Sequence, residues 1–336
     1  MPHNRLLYKL SSYGITGSLR LWLQNLLTQR RMKVVTEGEE SHEAPVDSGV
    51  PQGTVLGPVL FLCHINDLPK AVKSQVRLFA DDCLLYRRID SQKDHRILQS
   101  NLKELERWTE TCGMHFNTNF FLILSTRNKS SHYYSLNNHI LQQVDCSPYL
   151  GVTLTHDLTW TTHINNITRK SSSTLGFLRK NLRFCPPPPP PSCRKTAYIS
   201  LVRSALEYSA VVWDPYHQND IDKLENIQRR ASHFINQNYK DHTSGCVTNM
   251  LRDLGLQSLQ NRRKQQRLIL FFKTIRGLTP AIPPNEFLTH INSKRLIKPR
   301  NRKDFKTTNI VTDQARNNSQ SYRVDPTKTA VYRPFP

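Results

Sequence analysis

The segment Phe79-Ala80-Asp81-Asp82 places two adjacent carboxylates between two short apolar runs. The residues on either side are mainly β-branched, aromatic and aliphatic, so the pattern predicts a strand, a two-residue turn and a second strand. Two carboxylates at the tip of a hairpin offer hard oxygen ligands at short range, which suits Mg²⁺. Adjacent aspartates are also ordinary turn residues, so this segment alone leaves both interpretations open.

A glycine- and proline-rich segment, SGVPQG at residues 48–53, lies upstream of these acids and runs into an apolar stretch from Val55 to Ile65. Glycine permits close backbone approach to a ligand, and the Gln52 amide can both donate and accept hydrogen bonds. The alternative is a loop that caps a buried helix. Considered alone, the segment favours that alternative.

Together the two segments resemble reverse transcriptases of non-long-terminal-repeat retrotransposons, the LINE-type, jockey-like elements. The resemblance depends on several blocks that occur in order along most of the chain, and such an ordered set is far more specific than any single motif. The further blocks are GMHFN at residues 113–117, YLGV at 149–152, LVRSALEY at 201–208 and VWDP at 212–215.

The resemblance implies an α+β fold: a partial right-hand polymerase palm, with an antiparallel sheet plus helices, followed by a mostly helical, thumb-like region. The implied domains are the palm at residues 1–156, the helical region at 157–284 and a basic, partly disordered tail at 285–336. The implied activity is RNA-directed DNA synthesis with Mg²⁺. The implied partners are an RNA template, a DNA primer and deoxynucleoside triphosphates.

The same resemblance implies roles for individual residues. Asp81 and Asp82 are the expected catalytic metal ligands. The expected substrate and primer contacts are Gln52, Gly53, Phe79, Ala80, Tyr149, Leu150 and Gly151, of which the last three belong to a block that resembles the family's turn at the primer end.

The chain also departs from the family pattern. In relatives a third aspartate stands in a Phe-Asp pair before a Val-Pro-His sequence, whereas this chain opens Met1-Pro2-His3. Relatives usually carry a lysine where Phe120 and Phe121 stand here, and phenylalanine can neither transfer a proton nor carry charge. We therefore expect a palm truncated at both chain ends and inactive alone. The alternative is a non-catalytic retrotransposon relic that only binds nucleic acid.

Positive charge is concentrated in the second half of the chain. The net charge is +21, and residues 1–160 contribute 17 basic and 15 acidic residues to it, against 30 and 11 in residues 161–336. Such a basic segment is typical of a polyanion partner. The densest basic helix face is Arg262, Arg263, Lys264 and Arg267, which we expect to contact nucleic acid. The alternative is a solvated charged face.

Six consecutive prolines, Pro186 to Pro191, predict a stiff polyproline II rod of roughly 19 Å in an exposed loop. A tolerated repeat expansion is the favoured interpretation, and a docking segment for an SH3-like domain is the alternative.

No apolar run reaches the ~20 residues that span a bilayer, and the first 30 residues lack a signal-peptide core. The seven cysteines form no CxxC pair, which indicates free thiols in a reducing compartment. The expected location is intracellular, nuclear or cytoplasmic, and not secreted.

Hydrophobic periodicity predicts helices in both halves of the chain. The expected spans are residues 3–10, 18–29, 94–111, 164–182, 193–210, 221–235 and 257–276, with further strands at 32–35, 121–124 and 149–154.

Overall fold

The computed structural model describes residues 1–116, 120–124, 132–183, 185–241, 243–280 and 282, with the backbone of Leu288–Ile291 and Ser321–Val324. The chain folds into two compact units, Met1–Thr159 and Trp160–Ala330, each of which is described by itself. Most of the predicted tail, residues 285–336, lies outside the described residues, as does Asn117 of the GMHFN block.

The first unit contains four helices in its described part. They are α1 (His3–Ser12), α2 (Gly17–Leu27), α3 (Leu56–Ile65) and α4 (Gln92–Cys112), with a short 3₁₀ turn at Leu68–Ala71. The helix α4 begins with a capping box formed by Ser91 and Asp94, which satisfies free N–H groups at its start. It ends at Gly113, whose φ of 62° is the left-handed conformation that commonly ends helices.

The strands of the first unit are short, at two to five residues each. They are β1 (Arg31–Met32), β2 (Val35–Thr36), β3 (Glu39–Glu40), β4 (Ala44–Pro45), β5 (Gln75–Phe79), β6 (Asp82–Tyr86), β7 (Phe120–Leu122), β8 (Ser135–Leu136), β9 (His139–Ile140), β10 (Gln142–Val144), β11 (Cys146–Tyr149) and β12 (Val152–Thr155).

The fold is a mixture of helices and small sheets, as the α+β expectation requires. The expectation of one antiparallel palm sheet is not met in the part of the chain that the structure describes, where every strand pairs with a single neighbour. All the pairs are antiparallel except β7 with β10, which is parallel. Isolated two-stranded ribbons are marginal in water, so side-chain packing against the helices must stabilise them.

Two buried clusters provide that packing. The first joins α1, α2 and α3 through Leu6, Leu7, Leu10, Leu23, Leu27 and Leu60. The second surrounds α4 and includes Ile65, Leu68, Cys83, Leu85, Leu102, Leu105, Trp108, Cys112, Phe121, Tyr134, Leu136 and Leu141. Because α3 contributes Leu60 to one cluster and Ile65 to the other, it links the two cores.

The second unit is mainly helical. Its helices are α5 (Thr161–Arg183), α6 (Pro191–Ala197), a π-helical stretch (Tyr198–Arg203), α7 (Ser204–Glu207), α8 (Ala210–Trp213), α9 (Gln218–Asn236), α10 (Cys246–Asp253) and α11 (Leu259–Ile275). Two strands, β13 (Leu288–Ile291) and β14 (Ser321–Val324), pair antiparallel. No helix in the described part of the chain is long and apolar enough to cross a membrane.

Most expected helices are confirmed, with two differences in the second unit. The single helix expected over residues 193–210 is interrupted, because Ser209 has a φ of 51° and so leaves the helical conformation between α7 and α8. The helix α10 was not expected from the sequence, since its eight residues offer few repeats of the helical period.

Candidate functional site

The β5–β6 hairpin carries the two adjacent carboxylates. Its two-residue turn is Ala80-Asp81, and Asp82 is the first residue of β6, paired with Phe79. Ala80 has a φ of 49°, the left-handed conformation that tight hairpin turns favour at their first position. The residue pattern predicts a turn formed by Asp81 and Asp82. The pairing of Phe79 with Asp82 instead makes Ala80 and Asp81 the turn, one residue earlier, because register is set by pairing between the strands.

The two carboxylates differ in their surroundings. Asp81 is exposed, whereas Asp82 is half-buried. Partial burial of Asp82, followed by the neighbouring charge of Asp81, raises the pKa of the Asp82 carboxyl above its usual range. Both causes disfavour a second negative charge at the hairpin tip. A cation bound there would offset the repulsion, so the pair is chemically suited to a divalent metal.

The rest of β6 is buried and anchors this tip. Cys83, Leu84 and Leu85 are 3%, 0% and 8% exposed, and Cys83 and Leu85 belong to the core around α4. Burial raises the pKa of the Cys83 thiol to about 12, so this thiol stays protonated and unreactive at neutral pH. The hairpin therefore presents Asp81 and the 63% exposed Phe79 from a strand that is fixed in the core.

Gln52 and Gly53 are exposed in the turn that precedes α3. Below them, the Thr54 hydroxyl donates to the Pro51 carbonyl oxygen at 2.8 Å and accepts from the Gly57 N–H at 3.1 Å. A Cβ on Gly57 would lie 2.8 Å from the Pro51 carbonyl oxygen, so only glycine lets the helix begin this close to the loop.

Hydrogen bonds from the first residues of the chain stabilise the loop at residues 48–53. The Gly49 N–H donates to the Met1 carbonyl oxygen at 2.8 Å. The Gly49 carbonyl oxygen accepts from Arg30 Nη2 at 3.1 Å and lies 2.8 Å from His3 Nε2. The loop that carries Gln52 is therefore tied to α1 and to the end of α2.

Asp67, in the block after α3, has a structural role that sequence reasoning did not identify. Lys9 Nζ donates to Asp67 Oδ1 at 2.7 Å, and Trp108 Nε1 donates to the same oxygen at 3.2 Å. The Lys9 ammonium also lies 4.9 Å from the centre of the Trp108 ring, a cation–π distance. The Asp67 carboxylate thus connects α1, the end of α3 and α4. The sequence feature that could have indicated this role is a single acidic residue directly after an apolar helix.

The YLGV block forms a second tight hairpin, between β11 and β12. Its turn is Leu150-Gly151, with φ values of 43° and 79°, and Tyr149 pairs with Val152. Two successive residues with positive φ reverse the chain as in a type I′ turn. The expectation of one continuous strand over residues 149–154 is therefore wrong.

Arg263 of α11 lies in the interior of the second unit. Its side chain is 0% exposed, and Nε donates to Asp214 Oδ1 at 2.8 Å. Arg267 Nη1 donates to the other oxygen of the same carboxylate at 2.7 Å. Asp214 belongs to the VWDP block, so that block supplies the counter-charge of the buried arginine.

Arg262 forms a two-point ion pair with Glu207 of the LVRSALEY block. Lys264 is exposed. The expectation that Arg262, Arg263, Lys264 and Arg267 form one exposed basic face is therefore wrong: Arg263 is inside the unit, and carboxylates from two other elements hold three of the four cations.

A different helix, α5, presents exposed positive charge. It contains five basic residues and no acidic residue over 23 residues, and all five cations are exposed: Arg169, Lys170, Arg179, Lys180 and Arg183. Phe177, on the same helix, is 64% exposed. Exposed cations and an exposed aromatic ring on one helix are suited to a nucleic acid, since phosphates pair with cations and bases stack on aromatic rings.

Comparison with known proteins relates the first unit to one family. Residues 1–154 match the family described as reverse transcriptase (RNA-dependent DNA polymerase). This stretch holds the Gln52 loop, the Asp81-Asp82 hairpin and the Leu150-Gly151 turn. The match covers 154 of the 336 residues.

Similarity to individual reverse transcriptases extends beyond these residues. The chain is 25% identical over 241 residues to the RNA-directed DNA polymerase from mobile element jockey of Drosophila melanogaster, covering 68% of this chain and 26% of that protein. It is 26% identical over 253 residues to the probable RNA-directed DNA polymerase from transposon BS of the same species, covering 71% and 28%. For the probable polymerase from transposon X-element of that species the values are 26% over 255 residues, covering 70% and 26%.

The chain thus spans about a quarter of the length of the curated relatives it matches. The similarity to reverse transcriptases of non-long-terminal-repeat retrotransposons, expected from the ordered blocks, is confirmed.

Two features of the first unit bear on metal chemistry. In the described ranges, no group of three or more His, Cys, Asp or Glu side chains could hold a metal ion. Asp81 and Asp82 therefore fit one side of a magnesium site without completing it. Of the two phenylalanines that stand where the resemblance leads us to expect a lysine, Phe120 is half-buried, and Phe121 is 8% exposed and meets Tyr134 edge-to-face at 5.1 Å.

Proposed function

We propose that this chain is a portion of an RNA-directed DNA polymerase. Residues 1–156 are assigned to a right-hand palm, and residues 157–284 to a helical, thumb-like region. The observation that carries the proposal is the Asp81-Asp82 pair at the exposed end of a core-anchored hairpin, within the residues that match the reverse transcriptase family. The named relatives are polymerases of this kind, and a palm hairpin with two acids is what their reaction requires.

Asp81 and Asp82 would hold Mg²⁺ through their carboxylate oxygens. Bound magnesium would supply stabilisation of the negative charge that develops when a primer 3′-hydroxyl attacks the α-phosphate of a deoxynucleotide and pyrophosphate leaves. The hairpin's own contribution is positioning. Because β6 is fixed in the core, the two carboxylates are preorganised and need not rearrange during the reaction.

The remaining site residues are assigned to substrate contacts. Gln52 and Gly53 offer an amide and an open backbone on the exposed turn before α3, suited to the template and the incoming nucleotide. Phe79 and Ala80 adjoin the carboxylates and would support the same nucleotide. The turn formed by Tyr149, Leu150 and Gly151 would contact the primer end, where glycine allows a phosphate to approach the backbone.

A complete two-metal site needs more carboxylate than this pair provides. We expect negligible primer extension from the purified chain, and the further ligand must come from outside the described residues. A second candidate function is therefore nucleic-acid binding without catalysis. The five exposed cations of α5, on a helix without acidic residues, favour it.

Metal binding and primer extension together test this function. We expect the purified chain to bind Mn²⁺, measured by electron paramagnetic resonance, and Asp81→Asn or Asp82→Asn to weaken binding at least about tenfold, or about 1.4 kcal/mol. The matched control is Asp90→Asn, which removes the same charge from an exposed aspartate that pairs with Arg88. Unchanged Mn²⁺ affinity in both hairpin variants would contradict the assignment of the metal site.

Extension of a DNA primer on an RNA template is measured on the same samples. Absence of extension, together with retained RNA binding, supports the non-catalytic alternative for this chain. Mg²⁺-dependent extension that disappears in Asp81→Asn would show instead that the chain completes the site.

The proposed compartment follows from the substrates. RNA templates and deoxynucleoside triphosphates occur inside cells, so we assign the protein to the nucleus or the cytoplasm. The seven free cysteines agree with a reducing compartment.

A further inference from the structure

The proline run lies between two helices of the second unit and is largely open to solvent. The helix α5 ends at Arg183 and α6 begins at Pro191, with the prolines between them. Every proline from Pro186 to Pro191 is exposed except Pro189, which is half-buried. The peptide bond between Pro186 and Pro187 is cis.

The backbone at the end of this segment has polyproline II geometry. Pro190 has a φ of −65° and a ψ of 161°, close to the usual values of about −75° and +145°. That helix has three residues per turn, so Pro187 and Pro190 share one edge while Pro189 lies on another. Pro187-x-x-Pro190 is therefore one exposed edge of the segment, which spans about 12 Å at ~3.1 Å per residue.

The helix that follows holds the rod in place. Arg194 of α6 is 5% exposed, and its Nε donates to the Ile235 carbonyl oxygen of α9 at 2.8 Å. The next turn carries Tyr198, 0% exposed, whose hydroxyl donates to Gln228 Oε1 at 3.0 Å. A segment already ordered in its bound conformation loses little entropy on docking.

The chain on either side of the proline run carries only positive charge. Residues 161–197 contain no acidic residue, and Lys180 and Arg183 are exposed in the last turn of α5. A partner groove that approaches the prolines meets these cations, so acidic residues at its rim would complement them.

We propose that Pro187–Pro190 is a docking segment for a protein domain of the SH3 type. Such a domain binds a PxxP helix in a groove lined by aromatic side chains, and acidic residues beside the groove would face Lys180 and Arg183. The proposal uses neither the carboxylate hairpin nor polymerase activity, so it stands or falls separately from the proposed function.

The test is a titration of the full-length chain with a purified SH3 domain that binds PxxP peptides and carries acidic residues beside its groove. Isothermal calorimetry should give saturable 1:1 binding. Pro190→Ala should weaken it at least about tenfold. The matched control is Pro189→Ala, which makes the same change one residue away on the half-buried edge and should leave the affinity within about twofold.

Two further measurements complete the test. Lys180→Glu combined with Arg183→Glu should weaken binding and reduce its dependence on salt. Thermal unfolding of every variant should match that of the parent chain, which excludes misfolding as the cause. The proposal is overturned by a lack of saturable binding, or by equal losses in Pro189→Ala and Pro190→Ala.

Discussion

At the scale of single residues, the buried histidine of α3 shows how burial decides protonation. His64 is 0% exposed, and its Nε2 lies 3.3 Å from the Cys112 carbonyl oxygen. Burial, and next the positive charge of Lys9, lower the pKa of His64 from 6.5 to about 4. The ring is therefore neutral at pH 7 and packs as a core residue.

This low pKa makes the free energy of unfolding depend on pH. Between pH 6.5 and about pH 4 the unfolded chain binds a proton at His64 that the folded chain does not, so His64 lowers stability as the pH falls through that window. Its contribution amounts to at most about 3 kcal/mol and is constant above the window.

Urea unfolding at pH 7.5, 6, 5 and 4 measures the effect. We expect His64→Gln to show a shallower loss of stability between pH 6.5 and pH 4 than the parent chain. The control is His42→Gln, at an exposed position, which should keep the parent slope. Equal slopes for the parent and His64→Gln would exclude this role for His64.

At the scale of elements, two of the family-like blocks of the second unit act as counter-ions for α11. Glu207 pairs with Arg262, and Asp214 holds both the buried Arg263 and the exposed Arg267. A buried arginine without its carboxylate costs several kcal/mol, because its charge has lost both water and partner. These acids therefore fix α11 to the unit.

We expect Asp214→Asn to reduce the free energy of unfolding of the second unit by about 3–5 kcal/mol, because it leaves the Arg263 charge unbalanced in the interior. Arg267→Gln breaks the exposed half of the same cluster and should cost less than about 1 kcal/mol. Guanidinium unfolding of the full chain, followed by circular dichroism, measures both. Similar costs for the two variants would mean that burial of Arg263 is energetically unimportant.

At the scale of the whole molecule, the charge of +21 belongs almost entirely to the second half of the chain. The structure distributes it unevenly. On α11 much of it is neutralised by carboxylates, whereas the five cations of α5 are exposed on a helix without acids. Binding of nucleic acid by this molecule should therefore depend on α5.

We expect Lys170→Ala combined with Lys180→Ala to weaken RNA binding and to reduce the slope of log K against log salt by roughly 1 to 2, since each phosphate contact contributes about 0.7 to 0.9. Fluorescence anisotropy at several salt concentrations gives the slope. The matched control is Lys93→Ala with Lys103→Ala, which removes two exposed lysines from α4. An equal change of slope in both double variants would contradict a special role of α5, because it would mean that RNA binding depends on the total positive charge of the protein and not on its position.

Local secondary structure was predicted well from the sequence. The helices α1, α2, α4, α5, α9 and α11 and the β5–β6 hairpin follow from hydrophobic periodicity and turn residues. The exact turn at Ala80-Asp81 did not follow, because strand register is fixed by pairing across the hairpin as well as by residue type. Residue types alone predicted a strand at Leu150-Gly151, since leucine seldom adopts a positive φ, whereas the family resemblance implied the turn that the structure has there.

The similarity to reverse transcriptases, the local elements and the paired carboxylates could be predicted from the sequence, because these depend on neighbouring residues and on ordered motifs. Which charged residues are accessible became clear only from the three-dimensional packing. Arg263 and Lys264 are adjacent in the sequence, yet Arg263 is buried against Asp214, 49 residues away, and Lys264 is exposed. Burial depends on elements that are distant along the chain, and no local pattern records which of them will pack together.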